Sequence, residues 1–250
     1  MLSRQQLEIL NRRSIRYPLH IAEKDYLLAL VLQLISRSVL GKKLVFKGGT
    51  SIHHCYLEQH RFSEDLDFSS RQQPILFDEL KKVLTSVDYL EIKKHYQSTA
   101  TIKIERLLYT GPIGFPNSIK IDIDVMQNVL LPVQEVPYRT VWGIEFPVSV
   151  MDIREICAEK IRAMNERARY RDFYDMYLIL NKHSIDLDEI LGYIRQKEIR
   201  KPIIKNNILQ NWKITKEQKQ VEEKTIYYSH TIEDDLIEEM IRYLPIDQNG

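Results

Sequence analysis

An apolar run over residues 44 to 46 reaches Lys47 and then stops at two glycines, Gly48-Gly49-Thr50-Ser51. Adjacent glycines permit a tight reversal and a close approach of backbone to a ligand, and Thr50 or Ser51 can cap a helix beginning there. The order imposed is strand, sharp turn, helix, and free N–H groups at such a helix start suit a phosphate. Farther on, Arg61-Phe62-Ser63-Glu64-Asp65-Leu66-Asp67-Phe68 places two aspartates on either side of one apolar residue in a strand-like run. Side chains alternate along a strand, so both carboxylates leave the same face. Two such charges need a cation, and Mg2+ shared between carboxylates and the oxygens of a nucleoside triphosphate would stabilise both.

Other motif readings of these residues fail. Neither G-x-x-x-x-G-K-[ST] nor G-x-G-x-x-G surrounds Gly48. A calcium loop starting at Asp65 would need glycine at its sixth position and glutamate at its twelfth, where Ser70 and Leu76 stand. A second alternating segment, Ile119-Lys120-Ile121-Asp122-Ile123-Asp124-Val125, sends Asp122 and Asp124 to one face and isoleucines to the other. Either aspartate can supply a third carboxylate; ordinary polar alternation on an exposed strand is the competing reading. Lys160 lies within the apolar stripe Ile153, Ile156, Cys157, Ile161 and Met164, so its ammonium must snorkel to water or meet an anion. Asp172 stands where a carboxylate stabilises the first turn of a helix. His53 and His54 are adjacent on a helix and face different directions, which disfavours a joint metal site.

The chain has 250 residues and a net charge of +1, enough length for a large core and no global field to attract a polyanion. The apolar stretch over residues 26 to 35 is too short to span a bilayer. The first six residues hold no apolar signal core, so secretion by that route is not expected. Cys55 and Cys157 lie far apart without metal or redox spacing, and read as reduced thiols in a cytosolic protein.

Periodicity predicts a core helix over residues 22 to 39, stopped by Gly41, strands at 44–47 and 65–69, and a helix over 51–59 between them. A further helix is expected over 76–87, strands over 89–96, 99–108, 118–126 and 144–150, and a loop bracketed by Pro132 and Pro137. From Asp152 the period becomes helical. The expected architecture is α+β: a mixed sheet flanked by helices in residues 1–150, then a helical region in residues 151–250. Eight basic residues (Arg195, Lys197, Arg200, Lys201, Lys205, Lys213, Lys216, Lys219) stand against Glu198 and Glu217 only, and Glu233, Asp234, Asp235, Glu238 and Glu239 then reverse the sign. That asymmetry marks either a polyanion contact or two solvated helix faces.

The glycine turn followed by the Asp-x-Asp strand resembles the nucleotidyltransferase fold of polymerase-beta-like enzymes. With Glu23-Lys24-Asp25-Tyr26, Glu159-Lys160-Ile161-Arg162-Ala163 and Arg171-Asp172-Phe173-Tyr174-Asp175, the order and spacing are similar to the AbiEii/AbiGii-type nucleotidyltransferase toxins over residues 20 to 180. The resemblance implies two Mg2+ ions on Asp65, Asp67 and Asp122, with Asp122 preferred to Asp124 as the base for the acceptor hydroxyl. It implies NTP phosphates on Gly48, Gly49, Thr50 and Ser51, charge neutralisation by Lys160, and a place for Asp172 in the active site. Arg61 would contact phosphate, pin the aspartate strand or serve in a structural ion pair. The implied activity is transfer of an NMP from NTP to an acceptor, RNA at a tRNA 3′ end, by the toxin of a toxin–antitoxin or phage-defence pair with a cognate antitoxin. Residues 151–250 would complete the active site and the basic run would hold the acceptor. A small-molecule nucleotidyltransferase and a non-catalytic binding module on the same fold are the alternatives.

Overall fold

The computed structural model describes residues 1–71, 74–126, 128–197 and 202–247. The chain divides into two compact units, Met1–Met151 and Asp152–Gly250.

The first unit opens with α1 (Arg4–Arg13), a helix that apolar spacing does not announce. Its signal is a capping box: Ser3 accepts from the Gln6 N–H while the Gln6 side chain accepts from the Ser3 N–H. Helix α2 (Leu19–Ser36) buries side chains all round, including Leu27, Leu28, Val31 and Ile35, as a core helix must. It ends at Ser36, and Gly41 is not its stop. Gly41 sits in the following 3-10 turn, Val39–Lys42, where a Cβ would lie 2.1 Å from the Ser36 carbonyl oxygen. Close packing, not helix termination, requires that glycine.

Seven strands follow: β1 (Leu44–Lys47), β2 (Asp65–Ser70), β3 (Leu90–Gln97), β4 (Thr101–Thr110), β5 (Pro116–Asp124), β6 (Gln134–Arg139) and β7 (Glu145–Val150). They form one mixed sheet in the order β3-β4-β5-β2-β1-β7-β6. Strand β2 runs antiparallel to β1 and parallel to β5, and β1 runs parallel to β7. The β1–β2 connection is α3 (Gly48–Ser51) continuing into a π-helical turn, Ile52–Tyr56, while α4 (Phe77–Leu84) precedes β3. The α+β architecture is the one the sequence predicts. The loop expected between Pro132 and Pro137 is instead occupied partly by β6, whose Pro137 lies opposite Pro147. Because β6 is an edge strand, the N–H that proline lacks is not owed to a further neighbour.

Alternation gives the sheet two chemistries. Leu66, Phe68, Ile102, Ile104, Ile119, Ile121 and Ile123 are all buried. The residues between them, Asp65, Asp67, Thr101, Lys103, Asp122 and Asp124, turn to the opposite face.

The second unit holds α5 (Ile153–Glu166), α6 (Tyr170–Lys182), α7 (Leu187–Gln196), α8 (Lys205–Ile226) and α9 (Asp234–Tyr243). Trp212 of α8 is buried against Phe173 and Tyr170 of α6 at ring-centroid distances of 5.1 and 6.3 Å. Helix α6 has no side-chain cap of its own; the Glu222 carboxylate of α8 accepts from the Tyr170 and Arg171 N–H groups instead. Asn211 caps the other end of α5, donating to the Met164 and Asn165 carbonyls.

Three members of the basic run are paired inside this unit: Lys197 with Glu155 and Glu159, Lys216 with Glu238, and Lys219 with Asp234. The acidic segment thus neutralises Lys216 and Lys219, while Lys213 is exposed on α8. Glu198, Arg200 and Lys201 lie outside the described residues. No helix among the described residues is long and apolar enough to cross a membrane.

Candidate active site

Strand register brings the sequence-predicted carboxylates together. Asp67 is the Cα partner of Asp122 across the parallel β2–β5 pair, Asp65 that of Lys120, and Ser69 that of Asp124. Paired residues on neighbouring strands point the same way, with strands about 4.8 Å apart. Asp65, Asp67, Asp122 and Asp124 therefore share one face, and Asp122 stands directly beside Asp67 while Asp124 is one step removed. On the other side of Asp67 its register partner is Lys47, at the end of β1.

The glycine turn abuts this face. Gly48 has φ +77°, and a Cβ on it would lie 2.2 Å from Asp67 Oδ2. Glycine is required twice over, by backbone conformation and by the carboxylate resting against it. Gly48→Ala is expected to lose about 1–2 kcal/mol of stability from the left-handed conformation alone. It should also push Asp67 from its place, so denaturant unfolding and transfer rate should both fall.

Thr50 and Ser51 do other work than the capping expected of them. Helix α3 has Lys47 at its N-cap and no side-chain cap bond. The Thr50 hydroxyl donates to the Asp65 carbonyl at 2.6 Å, tying the turn to the first residue of β2, and Ser51 Oγ donates to the Gly48 carbonyl at 2.8 Å. With both hydroxyls bonded in this way, the turn offers a ligand its backbone N–H groups in the first instance.

Arg61 and Ser63 brace the turn from behind. Arg61 is 2% exposed and its Nη1 donates to the Phe62 carbonyl. A Cβ on Gly49 would lie 2.6 Å from Arg61 Nη2 and 2.8 Å from Ser63 Oγ. Of the roles open to Arg61, this contact supports pinning of the turn.

The Glu23-Lys24-Asp25-Tyr26 segment of α2 secures the surrounding loops. Glu23 accepts from the Ile113 N–H at 2.6 Å and packs on Gly111, Lys24 meets Glu64 at 3.0 Å beside Asp65, and Tyr26 accepts from the Leu2 N–H. Asp25 accepts from Trp142 Nε1 and Gln59 Nε2, and His54 Nε2 stands 3.8 Å away. Burial pushes the Asp25 carboxyl above its usual range, against the pull of His54, Trp142 and Gln59. His53 instead faces the Glu58 carbonyl, so the two histidines diverge as expected.

One member of the site has no counterpart in the sequence reading. Lys103 of β4 is the register partner of Asp122, and its Nζ lies 2.6 Å from Asp122 Oδ2. Thr101 Oγ1 donates to the other carboxylate oxygen at 3.1 Å. The hydrogen bond to Asp122 raises Lys103 above its ordinary range despite some desolvation. A register shift between Ile104 and Leu107 hides this pair from the sequence: counted inward from the β4–β5 hairpin, Ile104 and not Lys103 would fall opposite Asp122.

Carboxylates on adjacent strands are hard oxygen donors suited to Mg2+. Among the described residues, however, no group of three or more His, Cys, Asp or Glu side chains stands ready to hold a metal ion. Asp122 is engaged by Lys103 and Thr101, so its carboxylate would reach a divalent ion only on giving up that engagement.

Lys160 and Asp172 meet in the second unit. Lys160 Nζ lies 2.9 Å from Asp172 and 2.7 Å from Asp175, and Arg167 Nε lies 2.8 Å from Asp172. The anion that satisfies this lysine of the apolar stripe is thus a pair of aspartates on α6. Burial alone would push Asp172 up, but Lys160 and Arg167 outweigh it and hold the carboxyl at about 2. A depressed folded-state value stabilises the fold above the ordinary value of 3.8, and the gain disappears as pH falls through about 2. The contribution is about 2 kcal/mol. Asp172→Asn should accordingly be less stable than wild type at about pH 5, with the gap in urea midpoints narrowing toward pH 2.

Cys55 and Cys157 are both free thiols, with burial pushing Cys157 up to about 12.

Solved structures share this fold. MenT4, a nucleotidyltransferase toxin from Mycobacterium tuberculosis H37Rv, aligns with a TM-score of 0.60 at 23% identity, covering 83% of this chain and 77% of that one. JHP933 from Helicobacter pylori aligns with a TM-score of 0.59 at 14% identity, covering 90% of this chain and 91% of that one. A putative nucleotidyltransferase from H. pylori aligns with a TM-score of 0.59 at 14% identity, covering 91% and 96%. At these identities the likeness is one of fold. No curated protein matches the sequence. The family model for the nucleotidyl transferase AbiEii toxin of type IV toxin–antitoxin systems matches residues 30–242, and the chain belongs to that family of nucleotidyltransferase toxins.

Proposed function

We propose that the polar sheet face carrying Asp65, Asp67 and Asp122 transfers an NMP from a Mg2+-bound NTP to a hydroxyl of an RNA acceptor, in the manner implied for a tRNA 3′ end. The observation that carries this reading is the register of Asp67 with Asp122, next to a glycine turn that rests on Asp67. Asp65, Asp67 and Asp122 would hold up to two Mg2+ ions. Such ions would supply charge neutralisation for the phosphates and a lower pKa for the attacking hydroxyl.

The chain's own residues do the positioning. The Gly48-Gly49 backbone binds phosphate oxygens, Thr50 fixes the start of β2, and Arg61 with Ser63 stiffens the turn. Asp122 would take the acceptor proton, and Asp124 lies one register step away. Lys160 and Asp172 remain in this reading through the resemblance alone.

An RNA acceptor is supported by the exposed cations Arg106 of β4 and Lys120 of β5, which can meet a phosphate backbone, while Lys93 and Lys94 of β3 pair with Glu91 and Glu105. Of the basic run from Arg195 to Lys219, Lys197, Lys216 and Lys219 are bound internally, and Lys213 is exposed. The setting we infer is the cytoplasm, in a toxin–antitoxin or phage-defence pair with a cognate antitoxin. Incubation with each α-labelled NTP and total cellular RNA tests the reading. Mg2+-dependent labelling of one RNA size class supports it, whereas label confined to small molecules would point to the antibiotic type of acceptor.

A further inference from the structure

The side chain nearest to Asp122 is a cation that the chain itself supplies. Across β1, β2, β5 and β4 the register partners read Lys47, Asp67, Asp122, Lys103, two acids between two bases. Lys103 reaches one Asp122 oxygen at 2.6 Å, and the single Thr101 hydroxyl proton is shared between the second oxygen and the Ile123 carbonyl, each 3.1 Å away. Asp122 and Lys103 are 42% and 43% exposed at their side chains, so the ammonium can swing out to water without leaving a buried charge behind.

We propose that Lys103 is a resident counter-cation that competes with the divalent ion for Asp122, setting the metal affinity of the site and releasing its ammonium to substrate phosphate when the ion binds. The inference rests on the reading of Asp65, Asp67 and Asp122 as the cation site. Without Lys103, three carboxylates would repel one another on adjacent strands whenever the metal is absent. With it, and with Lys47 beside Asp67, that charge is partly offset, but a divalent ion must displace the ammonium and share the face with its charge. The freed ammonium, one strand from Asp122 on the side away from the Gly48-Gly49 turn, would be available to a phosphate of the acceptor.

The test is Mn2+ binding by isothermal titration at low ionic strength to wild type, Lys103→Met, Lys103→Gln, Lys103→Arg and Asp65→Ala. Both neutral variants should bind Mn2+ roughly 30-fold more tightly, the change produced by removing the repulsion between an ammonium and a divalent ion across about 4 Å in a water-like dielectric. Lys103→Arg should stay near wild type, and Asp65→Ala should lose binding. A lysine that merely supported the hairpin would leave the affinity unchanged or weaken it. Unchanged or weaker binding in both neutral variants, with Asp65-dependent binding intact in wild type, overturns this inference alone. Absence of Asp65-dependent binding in wild type overturns the cation-site reading and this inference with it.

Discussion

Asp65→Ala is expected to lower nucleotide transfer by about 10^3-fold, equivalent to about 4 kcal/mol of transition-state stabilisation, which is the scale of charge neutralisation by a bound metal. Stability should change by no more than about 1 kcal/mol, because the substitution creates no large cavity and breaks no core contact. The backbone bond from Thr50 is to the Asp65 carbonyl and survives the substitution. The check is steady-state incorporation from α-labelled NTP beside a thermal melt. Wild-type incorporation by a folded Asp65→Ala protein would remove Asp65 from the reaction.

Lys160→Met should act in the opposite way, mainly on stability. Asp172 and Asp175 are both fully buried, and Lys160 is the ammonium that meets both within 3 Å. Removing it leaves Arg167 for Asp172 but takes from Asp175 the counter-charge 2.7 Å away. Breaking a buried pair by removing one partner costs about 3 kcal/mol or more, because the remaining charge stays desolvated. The expected result is a large drop in urea midpoint, with transfer reduced in proportion to unfolded protein at the assay temperature. If Lys160→Met kept its stability and lost transfer, the lysine would belong to phosphate neutralisation, as the resemblance implies, and not to the α5–α6 pairing.

The parts of the site that follow from local alternation were legible in the sequence. Asp65-Leu66-Asp67 and Asp122-Ile123-Asp124 need only the two-residue period of a strand to share a face. The juxtaposition of Asp67 with Asp122 was not readable that way, since a parallel pairing between distant segments leaves no local trace. Lys103 was missed for a related reason: an outward lysine on an alternating strand is ordinary until its register partner is known.

Errors arose where a residue's partner was nonlocal. Thr50 and Ser51 suit an N-cap by type, but Thr50 is claimed by the Asp65 carbonyl across the turn. Gly41 follows a helix by position, yet packing against the Ser36 carbonyl explains it. The basic run from Arg195 to Lys219 is open in the sequence to a polyanion contact or to solvated helix faces, and the pairing of Lys216 and Lys219 with the acidic block after it is a nonlocal feature neither reading contains. The Ser3 to Gln6 capping box was visible as a motif and marks α1 better than its hydrophobic spacing does.

The central claim is that Asp65, Asp67 and Asp122 form one divalent-cation site beside the Gly48 turn. Anomalous diffraction from crystals soaked in Mn2+ measures this directly. The expected map has a peak within about 2.5 Å of carboxylate oxygens of both Asp65 and Asp67, with Asp122 turned toward it and Lys103 turned away. A map with no peak at that face, or with its peaks on unrelated surface carboxylates while Lys103 still grips Asp122, would contradict it.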